Sequence, residues 1–531
     1  MRVLFFIFSL MIIPSFAKAP VASPDSLTRR LFLDLYDRLP TDSEYDKAVK
    51  YIKAGKYNLL VDKMTSTNFF NKNFAQKIID HYGVKDRRVV RKEPETLKYI
   101  RDKYTGRDVD FRNFLYDFVT ARGVSYSNPL LNLYSRDESV PDLTSRMAER
   151  VMGLPYNCAR CHDSKDYDEI KQKDFWQLAS FFNATQKMMP NRKDQLTRLE
   201  KRQDNFESLV GTQQSYALRA WLEAEKNDKN INGSKTKTNM KNKDRLQSPQ
   251  MVILEANHGI KNVRIKYKVE GKVFTATPEL PGNIAVDPNA NKPPRTIVGE
   301  WVRASSNEYP SKAVVNWVSF WLLGRGWVAP VTDVYGGVGV KEKELDNYAR
   351  FFRRNNYNVV NLVRHFVKSP YYKMRNMMKV SEKHIIYYKA RKPRHLTGSQ
   401  IINTIQYFAS NSSLAGNEKR RAKQTTDVLF PTSLQDDESF YRGTLAQTLF
   451  MANNSFLGNY IQKVAKKAYK EKSLKRDEWL RKVYVSFLTR EPSSKELREL
   501  SYYFSNRKTY AKSGFYELVW AIVNSPEMRL Y

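Results

Sequence analysis

The sequence predicts a mainly α-helical protein, with multi-helix N- and C-terminal domains and a small β-hairpin unit inserted between them. Two observations predict this fold class. Apolar residues recur at helical spacing along most of the 531-residue chain, whereas apolar and polar residues alternate in one short segment, 263–277. With 41% hydrophobic and 13% aromatic residues, the chain has enough apolar side chains for buried cores.

Helical patterning is clearest in the first part of the chain. Leucines recur at steps of four from Leu27, and residues 40–44 are typical of a turn that opens a new helix. Amphipathic segments follow at 109–121, 142–154 and 175–182. We therefore expect several short helices packed against one another.

The middle of the chain differs in composition. A charged helix is predicted at 193–224, and a Lys/Asn-rich stretch at 226–243 is typical of a linker or an exposed loop. The alternating segment at 263–277 contains Glu270-Gly271, which predicts the turn of a β-hairpin. Helical patterning resumes around Val298.

These changes divide the chain into five predicted parts. They are a signal peptide at 1–17, a helical domain at 18–192, a charged helix and linker at 193–250, a small β unit at 251–295, and a helical C-terminal domain at 296–531.

An internal echo links the two ends of the chain. Residues 34–44 and 487–496 share an Arg-x-Pro string with a glutamate four residues after the proline, and helical segments follow both. Similar strings recur at 66–70, 368–372 and 524–528. The echo predicts recurring helix–turn–helix units.

The N-terminus indicates export. Met1-Arg2, an apolar run at 3–13 and a small-x-Ala site at 15–17 are typical of a cleavable secretory signal. The apolar run is too short to cross a bilayer. We expect a periplasmic, extracellular or cell-surface protein without a transmembrane anchor after cleavage.

The charge balance constrains the partners. A formal net charge of +34 favours contact with an anionic envelope polymer or an acidic protein, although evenly spread surface lysines would give the same balance. Nucleic acid is not an expected partner of an exported chain.

Both cysteines of the chain lie in one string, Cys158-Ala159-Arg160-Cys161-His162. This spacing is the attachment motif of a c-type haem, in which two thiols bond to the porphyrin and the histidine is the proximal iron ligand. Export and the predicted flanking helices favour this interpretation. The sequence therefore predicts covalent haem c, held by Cys158, Cys161 and His162.

Other interpretations of the cysteines remain open. Cys158 and Cys161 could form a disulfide in an oxidising compartment. They could bind zinc together with His162, but no fourth ligand is evident nearby. Thiol–disulfide exchange is a further alternative, although the helical context is not that of a thioredoxin-like motif.

The second axial position of a haem iron is harder to assign. Met188 or Met189, in a predicted loop after the following helix, could supply a thioether ligand, and the alternatives are apolar packing of that loop or a five-coordinate iron. The five other histidines are expected to be surface or capping residues. Arg325, between two glycines, could bind an anion, or the segment could be a helix C-cap.

Several motifs in order resemble a bacterial family named after planctomycetes, in which two domains of unknown function occur together and the first is cytochrome-c-like. The motifs that carry the resemblance are Leu27-Thr28-Arg29-Arg30 through Pro40-Thr41, Val151 to Leu154 with Cys158 to Asp163, Lys173 to Phe182, Ala313 to Asn316, Gly324 to Asp333, Leu445 to Leu449 and Trp520 to Ser525. The resemblance implies a helical fold and an envelope location, and no established activity.

The chain departs from that pattern in two places. Ser164 stands where the family usually has a second histidine, and the segment from Asn316 to Gly324 lacks the family's arginine and histidine. Any role of those side chains in relatives is therefore in doubt here.

The sequence predicts an exported c-type haem protein with a role in electron transfer or haem-dependent redox chemistry, for a redox partner that it does not specify. The alternative is a non-catalytic cell-envelope scaffold that binds an anionic polymer or a partner protein, with Cys158 and Cys161 as a disulfide. Hydrolase and nucleotide-binding signatures are missing from the sequence, and whether the protein is an enzyme stays undecided.

Overall fold

A computed structural model describes most of the chain between residues 20 and 531. The described residues are 20–84, 89–125, 128–135, 138–165, 167–188, 252–255, 260–334, 338–339, 342–377, 389–410, 444–470, 476–506 and 512–531. The predicted signal peptide and the predicted helix and linker at 193–250 lie outside these ranges.

The described residues are mainly helical, as the sequence predicts. The first eight helices are α1 Pro24–Tyr36, α2 Asp42–Lys53, α3 Tyr57–Met64, α4 Asn68–Tyr82, α5 Val89–Tyr104, α6 Arg112–Val119, α7 Val140–Met147 and α8 Gln172–Asn183. Short 3₁₀ segments at Pro129–Leu133 and Cys158–Arg160 and a π-helical turn at Ala148–Met152 lie among them.

Twelve more helices follow the middle of the chain within the described ranges. They are α9 Pro294–Arg303, α10 Tyr309–Leu323, α11 Glu342–Arg354, α12 Val359–Lys368, α13 Pro370–Lys373, α14 Gly398–Ser410, α15 Leu445–Asn453, α16 Ser455–Lys470, α17 Arg476–Leu488, α18 Ser494–Asn506, α19 Lys512–Asn524 and α20 Pro526–Arg529.

The strands are short and form small antiparallel sheets. They are β1 Gly123–Val124, β2 Thr185–Met188, β3 Val252–Glu255, β4 Ile265–Val269, β5 Lys272–Ala276, β6 Glu279–Leu280, β7 Ile284–Ala285, β8 Val328–Ala329 and β9 Val338–Gly339. One sheet has the order β1-β3-β2, and the pairs β4-β5, β6-β7 and β8-β9 form the others.

The β4-β5 pair confirms the predicted hairpin. Tyr267 lies opposite Phe274 in the antiparallel register. Glu270 and Gly271 form the turn with φ of 47° and 82°, as the two-residue turn of a tight hairpin requires.

Two main hydrophobic cores organise the molecule. The first extends along the sequence from Ala22 to Tyr372, and the second combines Leu33 and Leu39 with residues from Leu396 to Met528. Helix α1 contributes to both cores, because Leu31 and Leu35 belong to the first and Leu33 belongs to the second. The first core thus includes residues on both sides of the predicted boundary at 296, and the proposed domain limits stay a prediction.

Arg29 and Arg30, the two consecutive arginines of the first motif, are buried and bind backbone carbonyl oxygens of distant segments. Arg29 donates to the carbonyl oxygens of Phe487 at 3.0 Å and Met528 at 2.7 Å. Arg30 donates to the carbonyl oxygens of Tyr372 and, at 3.0 Å, Met374. These bonds fasten α1 to the ends of α17, α20 and α13.

Asp34 follows these arginines by about one turn on the same helix and is also buried. Its carboxylate accepts from Arg394 at 2.9 Å and from the hydroxyls of Tyr372 at 2.8 Å and Tyr531 at 3.0 Å. A buried carboxylate with three donors ties α1 to segments more than 300 residues away along the chain.

The sequence echo is repeated in the structure. Arg38 makes a bidentate ion pair with Glu44 at 2.7 and 2.8 Å, and Arg490 makes the same pair with Glu496 at 2.8 and 2.9 Å. Asp37 and Thr489, which precede these arginines, both have a left-handed backbone with φ of 57° and 55°. The two units therefore share one turn geometry.

The three recurring strings are helix caps. The hydroxyls of Thr67, Ser369 and Ser525 each accept a hydrogen bond from the backbone N–H three residues later, at 3.3, 3.3 and 3.1 Å. This is N-capping by a short polar side chain, which explains why the strings recur where a new helix begins.

Among the helices within the described ranges, none combines the length and the apolar character that crossing a bilayer requires.

Candidate functional site

The segment that leads into the cysteines is set by helix α7 and the π-helical turn after it. Ser139 and Asp142 form a capping box that starts α7. The π-helical turn at Ala148–Met152 ends at Gly153, whose φ of 69° reverses the chain. The C-x-x-C-H loop therefore begins from a rigid helical support.

Gly153 also lies at a close contact with the second half of the chain. Its carbonyl oxygen accepts from the N–H of Val334 at 2.9 Å. A Cβ on Gly153 would lie 2.4 Å from Cγ2 of Val334 and 3.3 Å from Cβ of Ala313. The position thus requires glycine for both its backbone conformation and its lack of a side chain.

We expect Gly153→Ala to lower the free energy of unfolding by about 2–4 kcal/mol, from left-handed backbone strain and steric overlap together. Gly55→Ala is the matched control, because Gly55 has a φ of 72° and a methyl group added there would have nothing within 4 Å. The control should lose about 1 kcal/mol. Denaturant unfolding of both variants measures the difference, and equal losses would contradict the close contact with Val334.

Polar contacts hold the loop itself on α7 and α8. The guanidinium of Arg160 donates to Asp142 at 2.6 Å, and its carbonyl oxygen accepts from the side chain of Gln172 at 3.3 Å. Ser145 donates to the side chain of Asn157 at 3.2 Å. Ala159, between the cysteines, is fully buried, and it therefore packs the middle of the loop against the protein interior.

The two cysteines and the histidine face outward from this anchored loop. Cys158 and Cys161 are exposed free thiols that are not bonded to each other. His162 is exposed, and its Nδ1 lies 2.6 Å from the carbonyl oxygen of Asp163. Because a carbonyl oxygen only accepts, Nδ1 is the donor and Nε2 is left for coordination.

The chain after His162 is fastened to the start of α8. Asp163 accepts from the N–H of Gln172 at 2.9 Å, and the N–H of Ser164 donates to the carbonyl oxygen of Ile170 at 3.0 Å. The Ser164 hydroxyl accepts from the N–H of Tyr167 at 3.2 Å. Ser164 thus closes the turn that follows the C-x-x-C-H string.

Tyr167 connects this turn to the second half of the chain. Its hydroxyl donates to the carboxylate of Asp333 at 2.6 Å, and Asp333 is buried. Sequence reasoning identified Asp333 as part of a motif and did not predict its contact with the loop. The partners are 166 residues apart, and no local pattern signals such a pair.

The β4-β5 hairpin packs against α8, the helix whose first turn also contacts the C-x-x-C-H loop. Trp176 of α8 stacks on Tyr267 with ring centroids 5.4 Å apart and planes at 13°. Burial raises the pKa of Tyr267, and the negative charges of Asp163 and Asp174 raise it further. The residue after His162 is therefore near the hairpin.

These residues fit a covalently attached haem. Two exposed thiols at the required spacing are free for thioether bonds, and the hydrogen bond at Nδ1 orients the imidazole as metal-binding histidines are usually oriented. Within the described part of the chain, no group of three or more His, Cys, Asp or Glu side chains is arranged to hold a metal ion.

The second axial ligand stays a prediction. Met188 lies in strand β2, opposite Val252, and not in the predicted loop, because Thr185–Met188 pairs with β3. Met189 lies outside the described residues. The loop contacts the first turn of α8, whereas Met188 lies beyond the other end of that helix, which ends at Asn183. His162 is the only predicted axial ligand whose surroundings are described.

The remaining histidines that the structure describes are side chains packed on aromatic rings or partly buried. His81 is buried and stacks on Trp317 at 4.7 Å, which corrects the expectation of a surface or capping residue. Burial lowers its pKa well below the usual value. His365 stacks on Phe351 at 4.0 Å, and His395 is half-buried. His258 and His384 lie outside the described ranges.

The glycines around Arg325 confirm the C-cap interpretation. Gly324 has a φ of 81° and ends helix α10, with its N–H donating to the carbonyl oxygen of Phe320 at 2.8 Å. Asn316 then holds the following turn through bonds to the carbonyl oxygens of Val328 and Val331, at 2.9 and 3.0 Å.

Fold and loop together define a mainly helical protein that presents two free thiols and a histidine on an anchored surface loop. Residues 6–187 match the family model PSCyt2, described as a protein of unknown function (DUF1549), and residues 294–443 match PSD1, described as a protein of unknown function (DUF1553). The chain therefore carries the two domains of unknown function that occur as a pair in planctomycete proteins. No curated protein and no solved structure matches the chain.

Proposed function

We propose that this chain is an exported c-type haem protein that works in electron transfer or haem-dependent redox chemistry. The observation that carries the proposal is the geometry of the loop. Cys158 and Cys161 are exposed free thiols, and His162 presents Nε2 because its Nδ1 is bonded to a carbonyl oxygen.

Each residue of the loop has a defined part in this proposal. Cys158 and Cys161 form the thioether bonds, and His162 is the proximal ligand. The haem supplies one-electron chemistry when it is bound. The contacts of Arg160 and Asp163 keep the loop in place on α7 and α8.

The surroundings support a fixed ligand orientation. Asp163 is bonded to Gln172 on one side of His162, and buried Ala159 anchors the loop on the other. An imidazole held in this way loses little freedom on binding iron, which favours a stable axial bond. The proposed location outside the cytoplasm rests on the N-terminal sequence, which is typical of a secretory signal. It is consistent with the proposed haem, because bacteria attach haem to cysteines outside the cytoplasmic membrane.

A pyridine haemochrome spectrum tests the proposal. The full chain is produced with its own N-terminus in a bacterial host that has haem-attachment machinery, and the purified protein is denatured before measurement. We expect one covalently bound haem per chain, and complete loss of covalent haem in a Cys158→Ser/Cys161→Ser variant.

A known c-type cytochrome made in the same host controls for the attachment machinery. If that control carries haem and this chain carries none, the proposal is wrong. The non-catalytic scaffold with a Cys158–Cys161 disulfide is then favoured.

A further inference from the structure

The inner side of the β4-β5 hairpin, which packs against α8, carries a row of three aromatic rings. Trp176 of α8 stacks on Tyr267, and Tyr267 lies beside Phe274 of β5 with ring centroids 5.8 Å apart. Tyr267 and Phe274 are cross-strand partners, so their side chains lie on the same side of the hairpin. We call Trp176, Tyr267 and Phe274 the aromatic row.

The outer end of the aromatic row extends beyond the hydrophobic cores. Among the described residues, Trp176 packs on the first core, whereas Tyr267 and Phe274 belong to neither of the two main cores. Phe274 is 44% exposed, and Ala276 is the one buried residue of β5. Because a two-stranded hairpin is marginally stable in water unless an apolar side is covered, a further apolar group on Phe274 would stabilise this part of the fold.

Helix α8 brings the aromatic row to the C-x-x-C-H loop. The side chain of Gln172, in the first turn of α8, donates to the carbonyl oxygen of Arg160 at 3.3 Å. Trp176 follows Gln172 by four residues, so the two side chains lie on the same side of the helix. The side of α8 that holds the loop therefore also carries the first ring of the row.

Asp163 connects His162 with the middle of the aromatic row. Its carbonyl oxygen accepts from Nδ1 of His162 at 2.6 Å, and its carboxylate accepts from the N–H of Gln172 at 2.9 Å. Burial raises the pKa of Tyr267, and the charges of Asp163 and Asp174 raise it further. The hydroxyl of Tyr267 thus lies within electrostatic range of the residue that follows the proposed iron ligand.

A haem attached to this loop needs apolar surface beside it. The porphyrin is a flat and largely apolar ring system, and the exposed side chains of Cys158 and Cys161 by themselves would leave it in water. Aromatic side chains pack favourably against such a ring system. The two thioether bonds would also hold it at a high effective concentration next to the aromatic row.

We propose that the aromatic row is the surface against which a haem bonded to Cys158 and Cys161 packs, with Phe274 shielding it from water. The inference rests on the proposed function, because it concerns the haem that His162 would bind. Packing of this kind covers Phe274, fastens the hairpin to the loop and lowers solvent access to the haem.

Hydrogen exchange of the backbone amides of residues 265–276, followed by mass spectrometry, tests the inference. The haem-loaded chain is compared with the haem-free Cys158→Ser/Cys161→Ser variant. We expect exchange in the hairpin to be at least about tenfold slower when haem is attached, because packing on the row suppresses local opening.

Phe274→Thr, made in both the haem-loaded and the haem-free chain, should reduce this protection to less than about threefold. Threonine favours strands, so the hairpin itself is expected to remain. Val273→Thr is the matched control, because Val273 is 60% exposed on the opposite side of the same strand, and it should keep the protection. The Soret circular dichroism, which reports aromatic rings beside a haem, should weaken in Phe274→Thr and not in Val273→Thr.

Covalent haem is measured in every sample by the pyridine haemochrome spectrum. A wild-type chain without covalent haem overturns the proposed function itself. A haem-loaded wild type whose hairpin exchanges as fast as that of the haem-free variant overturns the assignment of the aromatic row alone. Equal loss of protection in Phe274→Thr and Val273→Thr also overturns it, since haem attachment would then slow exchange without contact to Phe274.

Discussion

Asp34→Asn is expected to lower the free energy of unfolding by about 3–5 kcal/mol, because it leaves buried positive charge without its counter-ion. Arg394 donates to Asp34 at 2.9 Å, and Arg30 and Arg391 are buried in the same region. Burial lowers the pKa of Arg391 well below its usual value, and the charges of Arg30 and Arg394 lower it further. Asp34 is thus the carboxylate that offsets a crowded group of guanidinium ions.

Urea unfolding followed by circular dichroism measures this loss. Asp102→Asn is the control, because Asp102 forms exposed ion pairs with Lys98 and Arg101. Exposed pairs contribute less than about 1 kcal/mol, and the control should remain near the wild type. A loss below about 1 kcal/mol for Asp34→Asn would show that the carboxylate is not needed to hold the three arginines together.

His162→Ala is the second change with a large expected effect. The two thioether bonds should remain, so the denatured protein should still give a haemochrome spectrum. The native protein should lose its proximal imidazole, and its reduction potential should shift by on the order of 100 mV. Spectroelectrochemical titration measures the shift, and added imidazole should restore the native spectrum.

His365→Ala provides the control for this variant. His365 stacks on Phe351 at 4.0 Å, away from the cysteine loop in the sequence, and burial lowers its pKa. The His365→Ala variant should leave the haem spectrum and the reduction potential unchanged. An unchanged potential in His162→Ala would show that another residue is the proximal ligand.

The fold class and the helical flanks of the loop could be predicted because their signals are local. The apolar periodicity of 175–182 gave helix α8, and alternation around Glu270-Gly271 gave the β4-β5 hairpin. Both patterns are set by side chains within a few residues of one another. The C-x-x-C-H string needed only its spacing to be recognised.

The connections between distant segments could not be predicted in this way. Arg29 and Arg30 stood out as motif letters, yet most of their partners are carbonyl oxygens, which lie 342 to 501 residues away along the chain. Every residue has a carbonyl oxygen, so the sequence carries no signal for which one is used. The three-stranded sheet of β1, β3 and β2 was missed for a related reason, since its strands are short and come from separate segments.

The division of helix α1 between two cores could not be predicted either. Leu31 and Leu35 of α1 enter the first core, whereas Leu33 of the same helix enters the second. A helix that is apolar on two sides can serve two cores, and its sequence does not tell which neighbours cover each side.

The most direct test of the central claim is the mass of the proteolytic peptide that contains Cys158 and Cys161, taken from the exported protein without reduction. We predict one peptide carrying a haem on both cysteines, with no thiol left to alkylate. A peptide with two alkylatable thiols, or with an internal disulfide, from a host whose control cytochrome is loaded would contradict the haem assignment.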